Sequence, residues 1–270
     1  MKKTTETDQM KIGSEKDNIL TEHKIAFITG ANRGLGLETA RGLGKLGITV
    51  LLGSRDQSRA EKAAAELRAD GVACVEPVVF DVQNRDDHRA LAARIEMNYG
   101  RLDILVNNAG VEKEGVDFGN PDGFNTTSTV SQEVLQETFN INFFSVVALT
   151  QTLLPLIRRS PAGRIVNVSS ILGSLTLHAD PSSPIYKTKA FAYDATKTAI
   201  NAFTVHLAAE LRDTRIKVNS AHPGWVKTEL GGAGANLDIT EGGKTSVQLA
   251  TLSANGPTGA YIHLGQTLPW

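Results

Sequence analysis

The chain has 270 residues, 41% hydrophobic and 21% charged, with a net charge of −1. That balance suits one globular domain with a large core and gives no electrostatic case for nucleic acid or an anionic membrane. A lone cysteine, Cys74, excludes an intrachain disulfide and fits a reducing compartment.

Residues 1–23 are polar and of mixed charge, without the apolar run of a signal peptide, and are expected to form a flexible tail. Nowhere do 18 apolar residues run together, so a soluble, cytoplasmic protein without a transmembrane helix is expected. From residue 24 onward, short apolar runs alternate with longer helical patterns. Strands are predicted at 24–29, 48–53, 75–80, 104–106, 164–168, 217–221 and 261–264. Helices are predicted at 34–46, 57–69, 86–99, 131–159, 192–211 and 242–253. Cys74 reads as a small buried apolar residue in a strand. Loops rich in small and polar residues fill 109–129 and 231–243. Strands alternating with helices imply a single α/β domain over 24–270. Its architecture is a Rossmann-type doubly wound parallel sheet of about seven strands, with helices on both faces and ligands at the strands' carboxyl ends.

The first strand runs into Thr29-Gly30-Ala31-Asn32-Arg33-Gly34-Leu35-Gly36 and then a helix. Glycines there permit a tight turn and a close backbone approach to a pyrophosphate at the helix N-terminus. A second pattern, Gly42-Leu43-Gly44-Lys45-Leu46-Gly47, matches G-x-G-x-x-G literally but ends a helix, so it reads as close packing and a helix stop. Tyr193 and Lys197, four residues apart on one predicted helix, share a face. An ammonium about 4 Å from a phenol, at an effective dielectric of roughly 20, favours the phenolate by about 4 kcal/mol. The expectation is a tyrosine drawn towards neutrality and able to move a proton.

The T-G-x-x-x-G-x-G turn is followed in order by Asn107-Asn108-Ala109-Gly110, Ser169-Ser170, Tyr193-x-x-x-Lys197 and Pro223-Gly224 with Thr228. Together these motifs resemble the short-chain dehydrogenase/reductase family, over residues 24 to about 264. The resemblance implies hydride transfer between a nicotinamide dinucleotide and a small carbonyl compound. It implies a tetrad of Asn142, Ser170, Tyr193 and Lys197, with Asn140 the competitor for Asn142. Tyr193 would act as general acid, Lys197 would serve the phenol and the nicotinamide ribose, and Ser170 would hold the substrate oxygen. Implied cofactor contacts are Gly30, Asn32, Arg33, Gly34, Leu35, Gly36, Asp81, Val82, Asn108, Gly110, Tyr193, Lys197, Pro223, Gly224, Val226 and Thr228. In NAD-binding members of the family an acid falls where Ser54 stands here. Arg55 and Arg33 instead offer guanidinium groups to a 2′-phosphate, and Asp56 reads as a cap or first-turn acid of the next helix, so NADP(H) is expected.

The N-R-G-L-G-L-E turn, residues 223–228 and Pro269-Trp270 are also similar to the carbonyl-reductase branch. Between Ser170 and Tyr193 the resemblance implies an insert, 178–189, polar and loop-like. It is short for covering the helices used in assembly, and a homodimer or homotetramer is expected. Leu172, Trp225, Leu230 and Phe144 are candidates for the substrate pocket or the core, and His222 for packing or substrate-loop support. A 3-oxoacyl-thioester reductase stays open as an alternative, with Arg158, Arg159, Lys187 and Lys189 as a conceivable basic patch for an acyl carrier. A catalytically silent dinucleotide sensor is the non-enzyme alternative. The sequence holds no H-E-x-x-H, no Cys/His cluster and no G-x-S-x-G elbow, so neither a metal site nor a serine hydrolase is expected.

Overall fold

In this computed structural model, the described residues are 24–115, 118, 127–232 and 234–270. The expected tail, 1–23, and the middle of the expected 109–129 loop lie outside them. Strand β1 (Ile25–Ile28) is buried throughout because it pairs in parallel with β2 (Thr49–Ser54) on one side and β4 (Ile104–Asn107) on the other. Beyond β2 lies β3 (Val75–Val79). Beyond β4 lie β5 (Arg164–Val168), β6 (Lys217–Ala221), β7 (Tyr261–His263) and β8 (Gln266–Thr267). The order is β3-β2-β1-β4-β5-β6-β7-β8, parallel except for the last pair. The direction of winding therefore reverses between β1 and β4, where doubly wound sheets bind ligands.

Alternate strand residues feed two cores. Ala26, Ile28, Val50, Leu52 and Val106 face α1 (Gly34–Lys45), α2 (Gln57–Ala69) and α8 (Ile239–Ala250) through Leu43, Leu67 and Leu249. Phe27, Leu51, Leu105 and Ile165 face α3 (Arg85–Tyr99), α5 (Ser145–Ile157) and α7 (Phe191–Glu210) through Ile95, Leu153 and Leu207. Truncating a fully buried leucine such as Leu153 to alanine in such a core costs about 2–5 kcal/mol. Asp56 caps α2 as expected, its Oδ1 accepting Arg59 N–H at 2.8 Å.

The glycines of the second, misplaced motif are packing residues. A Cβ on Gly42 would lie 2.6 Å from Val247 Cγ2, and one on Gly44 would lie 2.3 Å from Val72 Cγ1.

Several expectations are corrected. The long helix expected over 131–159 is α4 (Gln132–Phe139) and α5 joined by a π-turn, Asn140–Phe144. By length and composition the stretch 132–157 could cross a membrane, but 56% of its most apolar window is buried and Leu149 and Leu153 lie in the core. It is a core helix. β8 was too short to show a period, and its register follows from a tight turn in which Leu264 and Gly265 take positive φ. The insert at 178–189 begins inside a short helix, α6 (Leu175–Ala179). Cys74 is exposed and lies just before β3, an edge strand paired with β2.

Candidate active site

A cavity of about 1360 Å³ opens over the carboxyl ends of β1, β4, β5 and β6. It brings together the whole set of residues expected to contact a dinucleotide, from Gly30 at one end to Thr228 at the other, with Ser170, Tyr193 and Lys197. Asn142 alone among the expected catalytic and cofactor residues stands behind the wall.

At the glycine turn the chain leaves β1 and enters α1. Gly30 takes φ +62°, and a Cβ there would sit 3.3 Å from Ala109 Cα. A Cβ on Gly36 would lie 2.5 Å from Gly30 O and from Asn108 Nδ2. Arg33, at the N-cap, makes no side-chain capping bond among the described residues, and the first turn of α1 lines the cavity, where its open N–H groups would stabilise an anion. Asn108 fixes this turn from β4, its Nδ2 donating to Thr29 O at 2.8 Å and to Gly30 O at 3.2 Å. Thr29 Oγ1 in return accepts the N–H groups of Asn108 and Ala109, both at 2.9 Å. Asp81 takes part in a local turn, its Oδ1 accepting Gln83 N–H at 2.9 Å.

A side chamber of about 360 Å³ adjoins the end of β2, lined by Asn32, Arg33, Ser54, Arg55, Asp56 and Arg59. Arg59 was missed in the sequence, although its place on the opening turn of α2, just after the cap Asp56, was the available signal. Asp56 is engaged as the cap of α2, which takes its Oδ1 away from any ribose hydroxyl. Arg33 pairs with Glu229, an exposed contact that reaches across the cavity from the loop after β6.

At the other end, α7 carries Tyr193 and Lys197 on one face, as expected. Tyr193 is 7% exposed, and Ser170 lines the same cavity close to its phenol. Lys197 Nζ donates to Val168 O at 2.8 Å and lies 5.4 Å from the Tyr193 ring centre. The expected drop in the phenol pKa is not found in the chain alone. Burial raises it above the ordinary value, the Ser170 bond works against this, and Asp194 and Glu112 add to the rise. Burial also pushes Lys197 down to about 8. Two groups taken out of water lose more than their mutual attraction returns, because the ammonium points at a carbonyl and not at the phenol oxygen.

The π-turn sends Asn142 inward while Asn140 stays exposed. Asn142 Oδ1 accepts Val111 N–H at 2.8 Å; its Nδ2 donates to Val111 O at 2.8 Å and to Thr196 Oγ1 at 3.1 Å. A Cβ on Gly110 would lie 3.4 Å from Asn142 Oδ1 and 3.6 Å from Lys197 Nζ, so these three are packed together. After β6, Gly231 N–H donates to Thr228 Oγ1 at 3.0 Å, while Thr228 N–H returns to Val226 O at 2.7 Å.

Leu172, Trp225 and Leu230 line the cavity, Leu172 in one apolar cluster with Tyr193. Phe144 does not: it is half-exposed and packs with Phe139 and Phe143. Phe118, whose ring lies 5.9 Å from that of Tyr193, and Ile185 from the insert were not foreseen. Neither sits in a periodic segment that would mark it. The conceivable basic patch is dispersed: Arg158 pairs with Glu210, Arg159 with Glu96, and Lys189 donates to His178 O. Among the described residues no group of three His, Cys, Asp or Glu is placed to hold a metal ion.

A doubly wound sheet with an open helix N-terminus at its switch point and a Ser-Tyr-Lys cluster beside it defines a dinucleotide-type oxidoreductase. The chain belongs to the short chain dehydrogenase family, whose model matches residues 24–235. A short-chain dehydrogenase/reductase of Aspergillus fumigatus is 38% identical over 77% of this chain and 80% of its own length. Carbonyl reductase (NADPH) 1 of Bos taurus is 30% identical over 91% and 98%. Among solved structures, NADPH-bound carbonyl reductase from chicken fatty liver superposes with a TM-score of 0.77, at 25% identity over 92% of this chain and 100% of that one. Salutaridine reductase from Papaver somniferum gives 0.75, at 28% identity over 88% and 99%.

Proposed function

We propose that the chain is an NADP(H)-dependent reductase of ketones and aldehydes, and in reverse an alcohol dehydrogenase, acting in the cytoplasm as one catalytic unit over 24–270. The observation that carries this reading is the gathering of Ser170, Tyr193 and Lys197 in one cavity whose far end, with its side chamber, holds three arginines. The glycine cradle, closed to any Cβ at Gly36, and the open N–H groups of α1 suit a pyrophosphate. When bound, the nicotinamide supplies the hydride.

The chain's own residues divide the rest of the work. Gly30, Asn32, Gly34, Leu35 and Gly36 receive the pyrophosphate, and Arg33, Arg55 and Arg59 the 2′-phosphate. Asp81 and Val82 flank the adenine, with Asn108 and Gly110 along the wall beside them. Pro223, Gly224, Val226 and Thr228 hold the carboxamide. Ser170 fixes the substrate oxygen, and Tyr193 delivers its phenolic proton to that oxygen. Lys197 holds the ribose and balances charge at the phenol, while Asn142 braces Val111 and Thr196 behind it. Relatives whose names carry NADPH support the cofactor choice. The protein is proposed to assemble as a homodimer or homotetramer.

The test is NADPH consumption over a panel of aryl ketones, diketones, aldehydes and acyl thioesters. Turnover of free ketones or aldehydes is expected. Preference for a thioester would replace this reading with the acyl-thioester reductase, and tight NADPH binding with no turnover would favour a silent sensor.

A further inference from the structure

Immediately after β6, His222 is buried with its ring 4.8 Å from that of His263. Its Nδ1 accepts two backbone N–H groups, from Ile171 at 3.1 Å and from Gly224 at 3.4 Å. On the other side of the same peptide, the Tyr261 hydroxyl donates to the Ser170 carbonyl. Gly173 N–H shares that carbonyl at 2.8 Å. The peptide joining Ser170 to Ile171 is thus held at its C=O and at its N–H by buried side chains 91 and 51 positions away in sequence.

Both partners are kept in the form the grip requires. An Nδ1 that accepts N–H groups carries no proton, and burial beside His263 pushes His222 down to about 3. Burial raises the Tyr261 phenol, which stays a donor. The Tyr261 ring is stacked on Trp270, with centroids 5.5 Å apart at 18°, and Trp270 O accepts Thr176 N–H at 2.9 Å. Gly224, the second amide on His222, begins the turn that leads to Val226 and Thr228.

We infer that His222 and Tyr261 are positioning residues: they grip the Ser170–Ile171 peptide, aim the Ser170 hydroxyl at Tyr193, and tie that turn to the one carrying Val226 and Thr228. This rests on Ser170 and Tyr193 being the reducing pair. A misplacement of about 1 Å in such a pair costs on the order of 100-fold in rate.

The experiment is a double-mutant cycle read together with amide hydrogen exchange. Tyr261→Phe and His222→Leu are each expected to lower kcat by about 10- to 100-fold, with KM for NADPH changed less than about threefold. In a Ser170→Ala background the same substitutions should change the remaining rate by less than about twofold, since the grip acts through Ser170. His222→Asn places an acceptor oxygen near the Nδ1 position and should recover most of the loss. The Ile171 amide should lose protection in His222→Leu and keep it in His222→Asn, a reading that needs no turnover. Losses that multiply in the Ser170→Ala background, or parental rates in both single variants, would overturn the inference. If His222→Leu does not fold, Tyr261→Phe and its cycle decide. If the parent reduces no carbonyl at all, the reductase reading fails alone, and Ile171 protection still decides whether His222 holds the peptide.

Discussion

Lys197 Nζ donates to the carbonyl of Val168 at 2.8 Å and lies 5.4 Å from the centre of the Tyr193 ring. The lysine is therefore a buried amine braced by β5, and burial makes it easier to deprotonate than an exposed lysine.

Lys197→Met should abolish turnover and yet stabilise the cofactor-free protein at pH 7, by on the order of 2 kcal/mol, because it removes a buried charge without an acidic partner among the causes of its shift. Below pH 8 the amine is protonated in both folded and unfolded chains, so the burial penalty is fully present. From about 8 to 10.5 the folded chain releases the proton first, and parental stability rises with pH. The advantage of Lys197→Met in urea melts should accordingly shrink by pH 10. An advantage unchanged across that window would contradict the burial argument.

Tyr193→Phe should lower kcat by roughly 10²- to 10⁴-fold, the contribution of a positioned general acid, while NADPH still binds. Single-turnover rates and dinucleotide fluorescence separate the two. A variant that turned over like the parent would remove Tyr193 from the proton path.

Arg55→Ala and Arg59→Ala should each weaken NADPH by about 10- to 100-fold, the worth of one charge-assisted hydrogen bond, with NADH nearly unaffected. Glu229→Gln frees Arg33 and should tighten NADPH several-fold. Equal losses for both dinucleotides would place these arginines elsewhere.

Gly36→Ala and Gly44→Ala separate the working glycine turn from its literal decoy. A methyl at Gly36 meets Gly30 O and Asn108, so dinucleotide affinity should collapse. A methyl at Gly44 meets Val72 in the core, so the variant should lose about 1–3 kcal/mol of stability and bind as before. Thermal melts with and without NADPH distinguish them.

Asp194 is buried beside Tyr193, its Oδ1 without a hydrogen-bond partner among the described residues and its Oδ2 3.4 Å from His178 Nε2. Burial first, and Glu114 next, push its carboxyl up to about 8. A raised acid stabilises the fold below about pH 4 and loses that stabilisation as pH rises through 8. Asp194→Asn should therefore gain on the parent progressively from about pH 4 to about pH 8, and the gain should level off above that. Parallel stability curves would show that the acid is already solvated.

What was legible in the sequence was local. The glycine turn, the Asp56 cap and the shared face of Tyr193 and Lys197 depend on contacts within a few residues, where spacing alone dictates geometry. The misplaced glycine motif could be set aside for the same reason, since its helix-end context was readable. The π-turn at Asn140–Phe144 was not, because its bulge is held by Asn142 reaching Val111 across the sheet end. Phe118 and Ile185 lie outside any periodic run, and only the closing of the chain brings them to Tyr193.

By itself, then, the sequence determined the alternation of strands and helices, the glycine turn and the set of side chains that meet in the cavity. The sign of the shift at Tyr193, the bracing of Lys197 by Val168 and the hold of His222 and Tyr261 on the Ser170 peptide were decided by tertiary structure. Each depends on how much water is excluded and which distant backbone groups arrive, and neither quantity is encoded in the spacing of neighbouring residues.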